Sequence, residues 1–188
     1  GVENSRFLGN HSDPGSGGAI FNRGTIEIDD CDFADNTSAG DGGAMLTQQS
    51  GSQITVRDSR FVRNASYDDF PEGGGAIHVS ASEARLVNCS FLGNGAAGDG
   101  GAIRFFDGST GSFTNCLFSG NTSGVHGGAV NMSGVGALSN VTLTNCSFTG
   151  NQARTGDGPG GAVHNGSGSL TVRNCIMWDD LGYKEIYL

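Results

Sequence analysis

The chain has 188 residues, the length of one ordinary domain, and carries a net charge of −9 with 34 glycines, three prolines and five cysteines. The glycines follow no Gly-X-Y period, which excludes collagen, and no apolar run approaches the ~18 residues of a membrane-spanning helix. The arginines and the single lysine, Lys184, do not cluster, so the basic patch that displaces counterions from nucleic acid is missing.

Taken in chain order, two short phrases alternate. The first pairs a Phe with an Asn three places later, at Phe7/Asn10, Phe33/Asn36, Phe61/Asn64, Phe91/Asn94, Phe118/Asn121 and Phe148/Asn151. The second is Gly-Gly-Ala plus an aliphatic residue, ending at Ile20, Met45, Ile77, Ile103, Val130 and Val163. Such self-similarity marks a repeat architecture. Ahead of each Phe, positions −2, −5 and −7 are apolar or small, as in Cys146, Leu143 and Val141, or Ser59, Val56 and Ile54. Period-two alternation marks strands, and the three-residue step between the pairs predicts a bend. Each unit therefore reads as three short strands, "LxV", "CxF" and "GGAIxx". The predicted fold is all-β: a right-handed parallel β-helix (β-solenoid) of about seven three-strand coils, forming a single domain over 1–188. With coils ~4.8 Å apart, the Phe residues stack inside the tube, the Asn residues form an amide ladder at a bend, and the paired glycines allow close backbone approach.

Alternating "GGA(I/L/V)" and "FxxN" resembles the signature of the polymorphic outer-membrane proteins of chlamydiae and related bacterial β-helix surface proteins. The likeness runs from Ser5 to about Asp180. It implies a secreted or surface-displayed passenger, often adhesive, and offers no catalytic residue to carry over. Two departures stand out: no C-terminal translocating barrel, and a length below that family's usual passengers. The sequence is thus either a fragment or a compact relative with another role.

Five cysteines share one column, Cys31, Cys89, Cys116, Cys146 and Cys175, with Ser5 and Ser59 in two other coils. Cys31 has no cysteine in the next coil, so it cannot be bridged; the last four read as buried thiols, with vertical disulfides as the alternative. Acidic turns precede several GGA strands. Asp41, Asp99 and Asp157 are the weak calcium candidates there, with Asp13, Asp68, Asp69 and Glu72 in comparable loops. Calcium needs several oxygens around one point, and solvated loop carboxylates are the plainer reading. The outward residues of the GGA strands, Phe21, Leu46, His78, Arg104, Asn131, His164 and Tyr187, form a candidate ligand-binding stripe. No opposed carboxylate pair and no Ser-His-Asp arrangement is legible. Sequons at Asn10, Asn36, Asn64, Asn121, Asn140 and Asn145 read as accidents of an Asn-, Ser- and Thr-rich chain.

The sequence enters a coil at the second strand and leaves at the GGA strand. Copies stacked head to tail would continue the columns, with Val2, Phe7, Trp178, Ile186, Tyr187 and Leu188 at the interface. The expected function is non-catalytic: an extracellular or bacterial cell-surface protein, structural or adhesive. Its expected partners are copies of itself or a host-surface protein or glycan. It needs no cofactor, calcium aside. The alternative is a carbohydrate-binding or polysaccharide-degrading β-helix enzyme.

Overall fold

The computed structural model describes residues 1–67, 73–134, 136–154, 160–181 and 184–188. The chain winds as a right-handed parallel β-helix, every strand pairing in parallel with its equivalent one coil away. Among the described residues the strands form four sheets, one more than the three-strand unit predicts. The first sheet runs from Val2–Glu3 through Gln53–Arg57 and Glu83–Val87 to Gly168–Arg173. The second carries the Phe residues, as in Asp32–Ala34 and Ser90–Leu92. The extra one consists of two-residue strands just after each ladder Asn, such as Ala65–Ser66 and Gly95–Ala96. The fourth holds the GGA strands, such as Ile77–Ser80 and Ile103–Phe106. Two residues are too few to show a sequence period, which is why the extra strand escapes pattern reading.

The stacking expectation holds in detail. Phe7, Phe33, Phe61, Phe91, Phe118 and Phe148 lie ring on ring with centroids 4.6–4.9 Å apart and planes within 6°. Beside them Ile28, Val56, Leu86, Phe113 and Leu143 fill the first sheet's inner column. Volume is traded between columns: Phe105 projects from the GGA sheet toward a point where the first sheet supplies Gly111, and a Cβ there would strike its ring. A close-packed interior admits this kind of exchange.

The bend between the first two sheets is made by one residue per coil in the left-handed region: Asn4, Asp30, Asp58, Asn88, Asn115, Asn145 and Asn174, with φ between 47° and 56°. Asn and Asp tolerate this conformation better than other residues with a Cβ. Their exposed side chains also pair along the axis. Asn174 Nδ2 donates to Asn145 Oδ1 at 2.7 Å, and the chain of donations continues through Asn115 and Asn88 to Asp58.

The buried ladder runs the other way. The N–H and Nδ2 of each Asn both donate to Oδ1 of the next coil's Asn, as from Asn64 to Asn94 at 3.0 Å. The same Nδ2 also donates to a Phe carbonyl one coil back, as from Asn94 to Phe61 at 3.0 Å. Asn36, Asn64 and Asn121 are fully buried in this ladder, so their sequons are inaccessible in the folded chain. The ladder ends on Asp180, whose Oδ1 accepts from the N–H and Nδ2 of Asn151 at 2.7 and 2.6 Å. Its Oδ2 is buried, has no donor from the ladder, and faces the Glu185 carboxyl. Burial, and then the facing Asp180 carboxyl, raise the pKa of Glu185. Asp180→Asn would supply the donor that every other rung has and remove one of two facing acids. A stabilisation of about 1–2 kcal/mol is expected, read as a higher urea midpoint at unchanged slope; an unchanged midpoint would show that the ladder's energetics stop at Asn151.

All five cysteines are free thiols, and four of them are buried. No helix among the described residues is long and apolar enough to cross a membrane.

Candidate ligand-binding face

The strand register places Phe21, Leu46, His78, Arg104, Asn131, His164 and Tyr187 in a single column outside the GGA sheet, as alternation requires. The column is open only at its ends. Phe21 is 45% and Tyr187 39% exposed, while the five residues between them are at most 7% exposed. Outward side chains end up buried where turn residues ahead of a GGA strand lie against them, as Asp41 and Gly73 do against His78 and His126 does against His164.

Among the described residues, the position just before Gly-Gly-Ala links one coil's turn to the next. Ser16, Asp41, Gly73, Asp99 and His126 hold this position in successive coils. Ser16 Oγ accepts the Asp41 N–H at 3.0 Å, Asp41 Oδ1 the Gly73 N–H at 3.0 Å, and Asp99 Oδ1 the His126 N–H at 3.1 Å. Each side-chain oxygen thus ties one coil's turn to the next. The carboxylates also reach the column or the turns beside it. Asp41 Oδ1 lies 2.5 Å from His78 Nδ1, and Asp99 Oδ1 lies 2.9 Å from His126 Nδ1. Burial alone would raise the Asp41 pKa, but the hydrogen bond and charge of His78, with Gly73 N–H and Arg104, hold it below the usual carboxylate value.

Farther along, His126 stacks on His164 at 4.5 Å and His164 on Tyr187 at 5.2 Å. The Asn131 carboxamide lies 2.9 Å from His164 Nδ1. Burial, and then the neighbouring His126, lower the His164 pKa to about 4. Arg104 lies over the Phe106 ring at 4.6 Å and its Nη2 donates to Ser133 Oγ at 3.4 Å. His126 escapes the sequence reading because it belongs to the turn rather than to the strand; its signal is its place before "GGAV".

Asp41 and Asp99 are therefore engaged with backbone N–H groups and imidazoles. Asp157 lies outside the described residues, as do Asp68, Asp69 and Glu72. Among the described residues no group of three or more His, Cys, Asp or Glu converges as a metal ion requires. The expected stacking residues lie at the two ends: Val2, Phe7 and Ile186 are half-buried, whereas Trp178 is 72% and Leu188 82% exposed.

A second feature lies around the corner, on the sheet of two-residue strands. A groove of about 230 Å³ is floored by Ala65, Gly95, Ala96 and Thr122 and flanked by Tyr67 and Arg154. Tyr67 is 60% exposed, so its ring is free to contact a ligand. The dip arises because Ala65 and Gly95 stand where Thr37, Thr122 and Gln152 stand in other coils. In sequence these are only the small residues after a ladder Asn, "NAS" and "NGA". Gly73, six residues after Tyr67 in sequence, donates its N–H to Asp41 Oδ1.

A family model described as the right-handed beta helix region matches residues 1–100 and 75–184. Comparison with curated proteins and with solved structures found no match.

Proposed function

Because this chain belongs to the right-handed beta helix family, we propose that it is a non-catalytic recognition module, displayed on or outside a cell, whose grooved side binds a glycan. The observation that carries the reading is the exposed Tyr67 ring facing Arg154 across a floor of small residues. A tyrosine face packs on the apolar side of a sugar ring, and a guanidinium donates to its hydroxyls or carboxylate. The five middle residues of the column are buried, so the groove rather than the column meets the ligand. The acidic surface and the GGA/FxxN alternation, like that of the polymorphic outer-membrane proteins, support surface display. No residue is assigned a catalytic role and no cofactor is required.

A glycan array probed with the 188-residue chain, followed by titration of the best sugar, tests this. Tyr67→Ala and Arg154→Ala should each weaken binding at least tenfold, the loss that about 1.4 kcal/mol carries, while Phe21→Ala leaves it intact. Unchanged binding in both groove variants, or cleavage of the sugar, would overturn the reading.

Self-association is the second reading, favoured by the exposed apolar side chains Ile176, Trp178, Leu181 and Leu188 on the last coil. Sedimentation over a concentration series distinguishes it, since a strictly monomeric chain removes it.

A further inference from the structure

The cysteine column is a second candidate site, remote from the groove and unused by the glycan reading. Each thiol donates to the carbonyl two residues earlier: Cys31 to Asp29, Cys89 to Val87, Cys116 to Thr114, Cys146 to Thr144 and Cys175 to Arg173, at 3.2–3.4 Å. A shared partner means a shared rotamer, so the sulfur atoms repeat at the coil spacing. That spacing is fixed beside them by the Phe column, 4.9 Å from Phe91 to Phe118 and 4.6 Å from Phe118 to Phe148. Cys89, Cys116, Cys146 and Cys175 occupy four successive coils. Ser59 separates Cys31 from them.

This spacing suits one kind of occupant. A disulfide needs sulfur atoms about 2 Å apart and Cβ atoms closer than about 4.5 Å, which stacked, in-register side chains do not offer. A tetrahedral ion needs four converging ligands, which a straight row does not offer either. Two collinear sulfur ligands, each at about 2.3 Å as in a zinc–thiolate bond, stand about 4.6 Å apart, so a two-coordinate soft cation suits a row at the coil spacing. Soft thiolates select copper(I), zinc and iron–sulfur clusters, and of these copper(I) is the one that takes two sulfur ligands in a line. We propose that the row binds copper(I), one ion between Cys89 and Cys116 and a second between Cys146 and Cys175.

Each ion entering a pair displaces two thiol protons to solvent and forms two Cu–S bonds. No electron is transferred, and the pair with its ion keeps one net negative charge. The fold provides for that charge: backbone N–H groups of the preceding coil point at the sulfurs, as Cys146 N–H does at Cys175 Sγ at 3.4 Å. At the serine of the same column, Cys31 N–H makes the equivalent donation to Ser59 Oγ at 3.0 Å. Cys175, only half-buried, opens the row to solvent at the last coil.

The test titrates the reduced, anaerobic chain with copper(I), kept reduced by ascorbate and buffered by a chromogenic copper(I) chelator. About two ions per chain are expected, falling to one in Cys116→Ser and one in Cys146→Ser, and unchanged in Cys31→Ser. Ser5 and Ser59 already stand in this column, so the serine variants should fold, which circular dichroism checks. X-ray absorption of the wild-type complex gives an independent readout: two sulfur neighbours and no nitrogen or oxygen. Copper left on the chelator, a stoichiometry indifferent to Cys116→Ser, mixed coordination, or ready oxidation of neighbouring cysteines to a disulfide would each overturn the proposal.

Discussion

Asn94→Ala is expected to cost the fold about 4 kcal/mol or more, enough to consume much of a typical domain stability of about 5–15 kcal/mol. The side chain removed is small and polar, so hydrophobic bookkeeping would rank it far below Phe91, its neighbour in the same coil. The ladder reverses that ranking. Asn94 Oδ1 is the acceptor for both the N–H and the Nδ2 of Asn64. Its own Nδ2 donates to Asn121 Oδ1 at 2.9 Å and to the Phe61 carbonyl at 3.0 Å. Truncation removes four buried hydrogen bonds where only 1% of the residue reaches solvent: the Asn64 N–H loses its acceptor outright, while Asn64 Nδ2, Asn121 Oδ1 and the Phe61 carbonyl each lose one partner. Each orphaned buried group costs about 1–3 kcal/mol. Asn94→Asp is the sharper control. It keeps the acceptor for Asn64 but loses both donations and buries a charge, so it should be at least as damaging despite matching the shape. Urea denaturation of the three chains decides the order; an Asn94→Asp midpoint near wild type would refute the ladder account.

The expected stability of the ladder is also where sequence reading succeeds best. Identical residues at a fixed offset in every coil announce a column, and a column of amides or rings has one plausible packing. The Phe and Asn columns were legible for that reason, and so was the register of the stripe from Phe21 to Tyr187. What was not legible depends on contacts between different columns. Alternation says that His78 and Arg104 point away from the tube; it does not say that they are nevertheless buried to 3% and 2%, His78 against the turn residue Asp41 of the preceding coil. The Ser16–Asp41–Gly73–Asp99–His126 column varies in residue type, so repetition does not advertise it, although each member stands at the same place before "GG". The acidic members read as solvated or calcium-binding until their partners, a backbone N–H and an imidazole, come into view. The groove beside Tyr67 is harder still, since its signal is the absence of bulk at Ala65 and Gly95.

The bend column shows the intermediate case. A three-residue step predicts a turn between the first and second sheets, but the step alone does not name the backbone conformation. The identity of the turn residue does, because all seven coils place Asn or Asp three residues before the Phe or Met of the core column, and all seven have positive φ. A pattern of two chemically related residues at one offset is weaker than a pattern of one, yet it carries the backbone information that the stricter Phe and Asn patterns lack.

Gly101→Ala should prevent folding of the central coils, a cost above about 5 kcal/mol set against the same stability range. Glycine in this chain acts in two separate ways, and the substitution separates them. Gly120 has φ +63° and open space where a Cβ would go; Gly120→Ala should cost only about 1–2 kcal/mol for the left-handed backbone. Asp35 and Arg63 already occupy the equivalent place in other coils at φ 57° and 51°, so the fold admits side chains there. Gly101 is the second glycine of its Gly-Gly-Ala. A Cβ on it would collide with the Gly128 carbonyl oxygen and lie 2.6 Å from Thr122 N and C. Both obstacles are backbone of the next coil, held by the Gly101 N–H donation to Gly127 O at 3.1 Å and by the Thr122 N–H donation to Asn94 O at 2.9 Å. No side chain can rotate away to make room. Relief would require the coils to separate, and that separation would break the Phe stack and the amide ladder together. Far-UV circular dichroism and amide exchange of the two alanine variants test the distinction. A Gly101→Ala chain as stable as Gly120→Ala would mean that the coils are not clamped at the Gly-Gly-Ala corner, and the close approach that sets the coil spacing would have to arise elsewhere.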